Sequence, residues 1–292
     1  MLYYRMVLEL GKFCPSELQQ VLKHDSAQQY RWMENIREEN WGSARSSLLG
    51  LFSVDNSTVS TQYQQHSLDD RALLLSLAKL ASKIELNENQ DMDLLGNQVD
   101  NQVENEKIEN GLILVRCQEM LSSLDSLASE KDLTVALLPK QLLEISIDQI
   151  KIQTSSNHDR IKAALTGLAI SETFSSKLIV KESQDEESID SACKVWSTLI
   201  ESESQNIWNT LVGQGEVFMD DEVKLQVQDS LFYNVEMQYC ASRRSFSKLS
   251  TDLKTDLSFG KNEVVREQVL KEVGAEEDLA RMLDIAAKLS HR

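Results

Sequence analysis

The run RALLLSLAKLASKI, Arg71 to Ile84, constrains the fold more than any other part of the chain. Leu73, Leu77, Leu80 and Ile84 recur at three- and four-residue spacing and form one helical stripe, while Leu74, Leu75, Ala78 and Ala81 carry apolar surface around most of the remaining circumference. A helix that is apolar on nearly every side has to be covered on nearly every side. Either it is a central core helix wrapped by its own chain, or one face packs on its own chain and the other on a partner. A fully buried leucine contributes about 1.5 to 3 kcal/mol, so three or four on a shared face suffice to anchor an interface.

Its surroundings are also written for helix. Only 2 prolines and 10 glycines interrupt 292 residues, and Leu, Glu, Lys, Ala and Gln fill the periodic stretches. Leu2 to Lys12 has helical spacing and ends at Cys14-Pro15, and Ser26 with Gln29 makes a capping-box pattern. Tyr30 to Phe52 reads as an αα-hairpin broken at Asn40 and Gly42, with Trp41, Ala44, Leu48, Leu51 and Phe52 three or four apart on its second helix. Ser53 to Ser67 is a polar loop, and Ser67 with Asp70 caps a helix from Asp69 to about Ile84. Helical spacing returns over Leu112 to Leu127, Pro139 to Ile150, His158 to Ala169 and Glu187 to Glu203. Val217 to Arg243, Val264 to Val273 and Ala275 to Ser290 complete the pattern. The β-branched runs LTVALL and SKLIVKES are too few to build a sheet.

Between these segments, Glu85 to Glu109 holds eight acidic residues and one lysine with few large apolar positions, which predicts a flexible acidic linker or long loop. The expected organisation is an N-terminal helical segment over 1–84, the linker over 85–109 and a C-terminal helical domain over 110–292. About twelve helices joined in antiparallel pairs, without a fixed-period consensus, predict an all-α fold in the form of an irregular α-solenoid of stacked antiparallel helix pairs.

Charge and chemistry narrow the function. A formal charge of −17 with no basic stripe argues against direct nucleic-acid binding and against an anionic membrane surface. Cys14, Cys117, Cys193 and Cys240 are far apart and fit a reducing compartment; no run of 18 apolar residues occurs. His24, His66, His158 and His291 sit in separate segments, Gly213 and Gly215 lack the rest of a dinucleotide fingerprint, and no P-loop, GxSxG or HExxH occurs. Carboxylate pairs such as Asp220-Asp221 belong to solvated faces in so acidic a chain. Neither an enzyme nor a cofactor or metal is expected. Trp32, Trp41, Trp196 and Trp208 suit a binding hot spot or helix-pair core, and the register of Trp41 with Ala44 and Leu48 favours core.

The order of elements resembles the C-terminal helical region of the nucleoporin 133 family, scaffold subunits of the Y-shaped nuclear pore subcomplex. WMENIREENWGSARSSLLGLF supplies a Trp-bearing helix and then an Ala-x-x-x-Leu-Leu-x-Leu helix, Ala44 through Leu51; LSLAKLA, Leu75 through Ala81, follows. RCQEMLSSLDSL, SACKVWSTLIESESQNIW and DDEVKLQVQDSLFYNV resemble the downstream helices in order. The resemblance implies a structural nucleoporin at the nuclear envelope, supporting protein and mRNA transport by binding nucleoporin 107. It implies Leu77, Lys79 and Leu80 as partner-binding residues, joined by Leu73 on the same stripe. The acidic, Gln-rich run before Leu73 departs from the more basic stretch of animal relatives. The family's membrane-sensing β-propeller has no counterpart in these residues, so no membrane contact is expected of them. The alternative is an α-solenoid adaptor of a vesicle-coat or trafficking assembly, since that fold serves several coats.

Overall fold

In a computed structural model of the chain, residues 30–51, 67–88, 98–124, 134–152, 154–174, 183–203, 225, 227–246, 256–275 and 277–290 are described. The expected Leu2 to Lys12 helix, the Ser26 cap, Trp208 and nearly all of the Ser53 to Ser67 loop lie outside them. Among the described residues there are ten helices and no strand: α1 Arg31–Arg37, α2 Trp41–Gly50, α3 Leu68–Glu88, α4 Gln98–Ser122, α5 Pro139–Lys151, α6 Asn157–Phe174, α7 Ser183–Ser202, α8 Leu231–Phe246, α9 Glu263–Glu272 and α10 Glu277–Ser290. The fold is all-α. The chain divides into two compact units, Met1–Val115 with Asp132–Ala136, and Arg116–Lys131 with Leu137–Arg292, so the division falls inside α4.

In the N-terminal unit, α1 and α2 form the expected hairpin. Its turn is tighter than expected: Glu39 takes a φ of 58°. The Asn40 amide returns to the Asn35 carbonyl at 2.8 Å, and the Asn40 side chain accepts from the Ser43 amide at 3.1 Å to cap α2. Gly42 therefore lies within α2 instead of breaking it. It accommodates the Glu85 side chain, whose Oε1 would stand 2.8 Å from a Cβ at that position. Leu48, Leu74, Ala78 and Ile108 make the core of this unit, with Trp32, Leu49, Leu51, Leu77 and Leu112 packed around them. Trp41 is only half-buried, so core packing in this hairpin rests on Ala44 and Leu48 instead.

Much of the expected linker over 85–109 is ordered helix, which corrects that reading. Residues 85–88 complete α3 and 98–109 open α4, while 89–97 lie outside the described residues. Two interactions explain the folding of so acidic a stretch. Ile108 is buried in the unit's core. Arg45, on the inner side of α2, binds Glu85 and also reaches Glu104 Oε2 at 2.6 Å and Asn101 Oδ1 at 2.5 Å. The Leu75 side chain packs close on the neighbouring turn: its Cδ1 and Cδ2 would each stand 3.0 Å from a Cβ at Gly111. LTVALL forms no strand; it contributes one antiparallel bridge between Val135 and Ser67, at the start of α3.

In the C-terminal unit, α5, α6 and α7 pack on one another, α9 adds to α7, and α8 packs on α6 and α10. Pro139 opens α5 as expected, and the Leu138 amide donates to Gln141 Oε1 at 3.0 Å. Ser156 caps α6 through the Asp159 amide at 3.1 Å. Arg160 ties two helix ends, donating to the Ile150 carbonyl of α5 at 3.0 Å and the Ser202 carbonyl of α7 at 2.8 Å, where the helix dipoles favour a cation. Trp196, Phe232 and Phe259, all fully buried, meet as an aromatic triad with centroid distances of 5.0 to 6.5 Å.

The helical stretch expected over Val217 to Arg243 is interrupted, among the described residues, at a turn over Asp229 and Ser230. Ser230 Oγ accepts from the Tyr233 amide at 3.1 Å, and Glu203 Oε1 accepts from the Leu231 amide at 2.5 Å. A carboxylate 28 residues upstream thus caps a new helix start, which the local spacing does not reveal.

Candidate partner-binding face

Ser67 sets the start of α3, donating to Asp70 Oδ2 at 2.9 Å and accepting from the Asp70 amide at 3.1 Å. From there the helix sorts its leucines by side. Leu74, Leu75, Ala78 and Ala81 are buried against the N-terminal unit, and Ser82 joins them through a hydrogen bond to Asn105. Leu73 is 58% exposed and Leu80 55% exposed. They lie seven residues apart, almost two whole turns, and so share a face.

The four residues singled out from the sequence do not have one environment. Leu73 and Leu80 stand outward. Leu77 and Ile84 are half-buried on the shoulder between this outer face and the core, and Leu77 packs against the Leu48, Leu74, Ala78 and Ile108 cluster. Lys79 lies about 100° around the helix from Leu80. It is turned toward α4, where its Nζ meets Glu109 Oε1 at 2.7 Å. Leu86, outside the stripe, is also exposed.

Where α2 meets the end of α3 and the start of α4 lies an open polar cleft bordered by Asn40, Ser43, Ser46, Glu104 and Lys107. Arg45 is buried at its floor, and Ser46 Oγ donates to Glu104 Oε1 at 2.8 Å. The Glu85 carboxylate already lies against the first turn of α2, so the partial positive charge of that helix end is met from within the chain. Arg45, Ser46, Glu85, Asn101 and Glu104 are bonded to one another there, which ties α2, α3 and α4 together. Sequence spacing held a hint of it: Arg45 follows Ala44 and precedes Leu48 by three, which places on a buried face a cation that needs counter-charge from elsewhere in the chain.

In the C-terminal unit the chemically unusual groups are two buried glutamates. Burial pushes the Glu203 carboxyl up to about 7, opposed by the Leu231 and Phe232 amides and by Arg160. Burial pushes Glu236 up to about 7 as well, against the Gly260 and Phe259 amides. The thiols of Cys117, Cys193 and Cys240 are all raised to about 12, chiefly by burial, which leaves them protonated and poor nucleophiles. No group of three or more His, Cys, Asp and Glu able to hold a metal ion occurs among the described residues, and no helix there is long and apolar enough to cross a membrane. No family model matches the chain, and neither curated proteins nor solved structures return a match.

Proposed function

We propose that this chain is a structural scaffold nucleoporin of the nuclear pore complex, in which the Leu73 and Leu80 side of α3 binds a neighbouring helical nucleoporin. The reading joins the resemblance to nucleoporin 133 with one observation that carries it. A single helix hides Leu74, Leu75, Ala78 and Ala81 in its own unit and leaves two large leucines in water on the opposite side. Helix-in-groove recognition uses apolar anchors at this spacing. On this reading the helices continue as an irregular solenoid of antiparallel pairs, nucleoporin 107 is the partner, and the assembly at the nuclear envelope supports protein and mRNA transport. Leu77 and Ile84 extend the apolar contact along its shoulder, and Lys79 acts by holding α4 in place.

The test uses the double variant Leu73→Glu, Leu80→Glu. Both positions are solvent-facing, so folding should change by only about 0.5 kcal/mol each. Two unpaired charges in a dry contact should weaken binding by several kcal/mol, on the order of a thousandfold or more. Isothermal titration against purified nucleoporin 107 reads the affinity, and circular dichroism reads the fold. Unchanged affinity for nucleoporin 107 with unchanged helicity refutes this face. Stoichiometric co-purification with vesicle-coat subunits instead of pore subunits refutes the assembly.

A further inference from the structure

Glu236 is a fully buried carboxylate in the middle of α8, and both its oxygens hold backbone. Oε2 accepts from the Phe259 amide at 3.2 Å and Oε1 from the Gly260 amide at 3.0 Å. The turn it grips leads directly into α9. Phe259 packs on Phe232 and Trp196, the Trp196 indole donates to the Leu257 carbonyl at 3.0 Å, and Asn262 then caps α9 through the Val265 amide at 3.2 Å. One ionisable group therefore sits at the joint between α8 and the turn that launches α9.

Charged and titratable groups surround that joint. Asp256 acts on Glu236 with charge of the same sign, Cys240 donates its thiol to Oε1 at 3.7 Å, and Lys261 acts on Cys240. Further along α8, Tyr239 and Arg243 are engaged with Glu172 of α6 at 2.6 and 2.7 Å. On α10, Asp284 is taken by Arg266 of α9 at 2.6 Å. Just past the end of α7, Glu203 holds the start of α8, with Arg160 of α6 beside it.

We infer that Glu236 is a proton-operated latch on the Phe259–Gly260 turn: as a carboxylate it holds both amides, and on taking up a proton from solvent it releases one of them while the unit stays folded. The added proton makes one oxygen a hydroxyl, which is a donor and a poorer acceptor, so the hydrogen bond from one N–H is weakened and that amide is freer to leave. Unfolding is not the consequence. A carboxyl whose folded value is raised binds its proton more tightly folded than unfolded, so acid between about 7 and the ordinary carboxylate range favours the folded, protonated form. Local loosening and global stabilisation then go together below neutrality, a pairing that a purely structural glutamate does not give.

NMR of the isotope-labelled full chain from pH 8 to 5.5 tests this. The Glu236 side-chain carboxyl carbon and the Phe259 and Gly260 amides should titrate with one midpoint near 7. Hydrogen-exchange protection at one of these amides should fall about three- to tenfold relative to Leu199 in α7, the change for one net hydrogen bond. Glu236→Gln should abolish the titration, and Asp256→Asn should lower its midpoint by removing the like charge. Amides that stay fixed, or a carboxyl midpoint in the ordinary range, overturn the latch. So does loosening that spreads equally to Leu199. Should Glu236→Gln fail to fold, an unmoved midpoint in Asp256→Asn overturns it.

Discussion

Gly167 stands in the interior of α6, where glycine costs a helix roughly 1 kcal/mol relative to alanine, so propensity alone says that Gly167→Ala stabilises. The packing says the reverse. A Cβ at this position would stand 2.6 Å from Ser146 Oγ of α5 and 2.9 Å from Val195 Cγ2 of α7. Neither neighbour is a loose chain end. Ser146 is fully buried and donates to the Ala163 carbonyl at 2.7 Å, and Val195 is fully buried in the centre of α7. Overpacking a close helix crossing costs about 1 to 3 kcal/mol. Turning the serine aside costs its net hydrogen bond as well, about 0.5 to 1.5 kcal/mol. Against the gain in propensity, the substitution should destabilise by about 2 kcal/mol, a fall in melting temperature of roughly 4 to 8 °C for a unit of this size. Urea and thermal unfolding measure it. In a Ser146→Ala background the nearest contact is gone, so the cost of Gly167→Ala should shrink by about 1 kcal/mol in a double-mutant cycle. A Gly167→Ala chain that melts at or above the parent refutes the reasoning, because it would show that α5, α6 and α7 have room to part at this crossing.

Arg45→Met should cost about 3 kcal/mol in urea unfolding, because it strips Glu85 and Glu104 of a buried cation that matches their geometry. An unchanged midpoint would mean the three helices hold without it. Glu203→Gln should flatten part of the pH dependence of stability. The folded carboxyl is raised to about 7, so its contribution is full below the unfolded value near 4.5 and is lost as pH rises through about 7. The parent should therefore lose more stability than the variant between pH 5 and 8, on the scale of about 1 kcal/mol per pH unit, and parallel profiles would count against a buried titrating Glu203.

Helix was legible almost throughout, because spacing, caps and scarce breakers agree: Pro139 opens α5 and Ser67 caps α3 as their positions alone suggest. The acidic run over 85–109 was not. Its net charge is a local property, whereas the partner that makes it foldable, Arg45, lies 59 residues before Glu104 in the chain. Local composition carries no record of so distant a counter-charge. The break before Leu231 has the same cause, a cap supplied by Glu203. On α3 the two apolar sides were visible as a stripe and its complement. Which side faced water was not, since both are leucine-rich and only the neighbouring α2 and α4 distinguish them. Lys79, which the resemblance implies as a partner contact, also meets Glu109 of its own chain, an ion pair that local spacing does not reveal.

The three buried thiols give the C-terminal unit a set of native clocks. Cys117 lies where α4 meets α6, its Sγ 4.0 Å from the Thr166 carbonyl; Cys193 lies between α7 and α9, 3.8 Å from the Val265 carbonyl; Cys240 lies on α8 beside the Glu236 joint. None can react with a maleimide until its helix pair parts and the thiol ionises in water. Alkylation rates under native conditions, resolved by mass spectrometry, therefore time the opening of three separate seams without any engineered label. Where the slowest thiol reacts only as fast as the whole unit unfolds, its seam belongs to the last part of the unit to come apart.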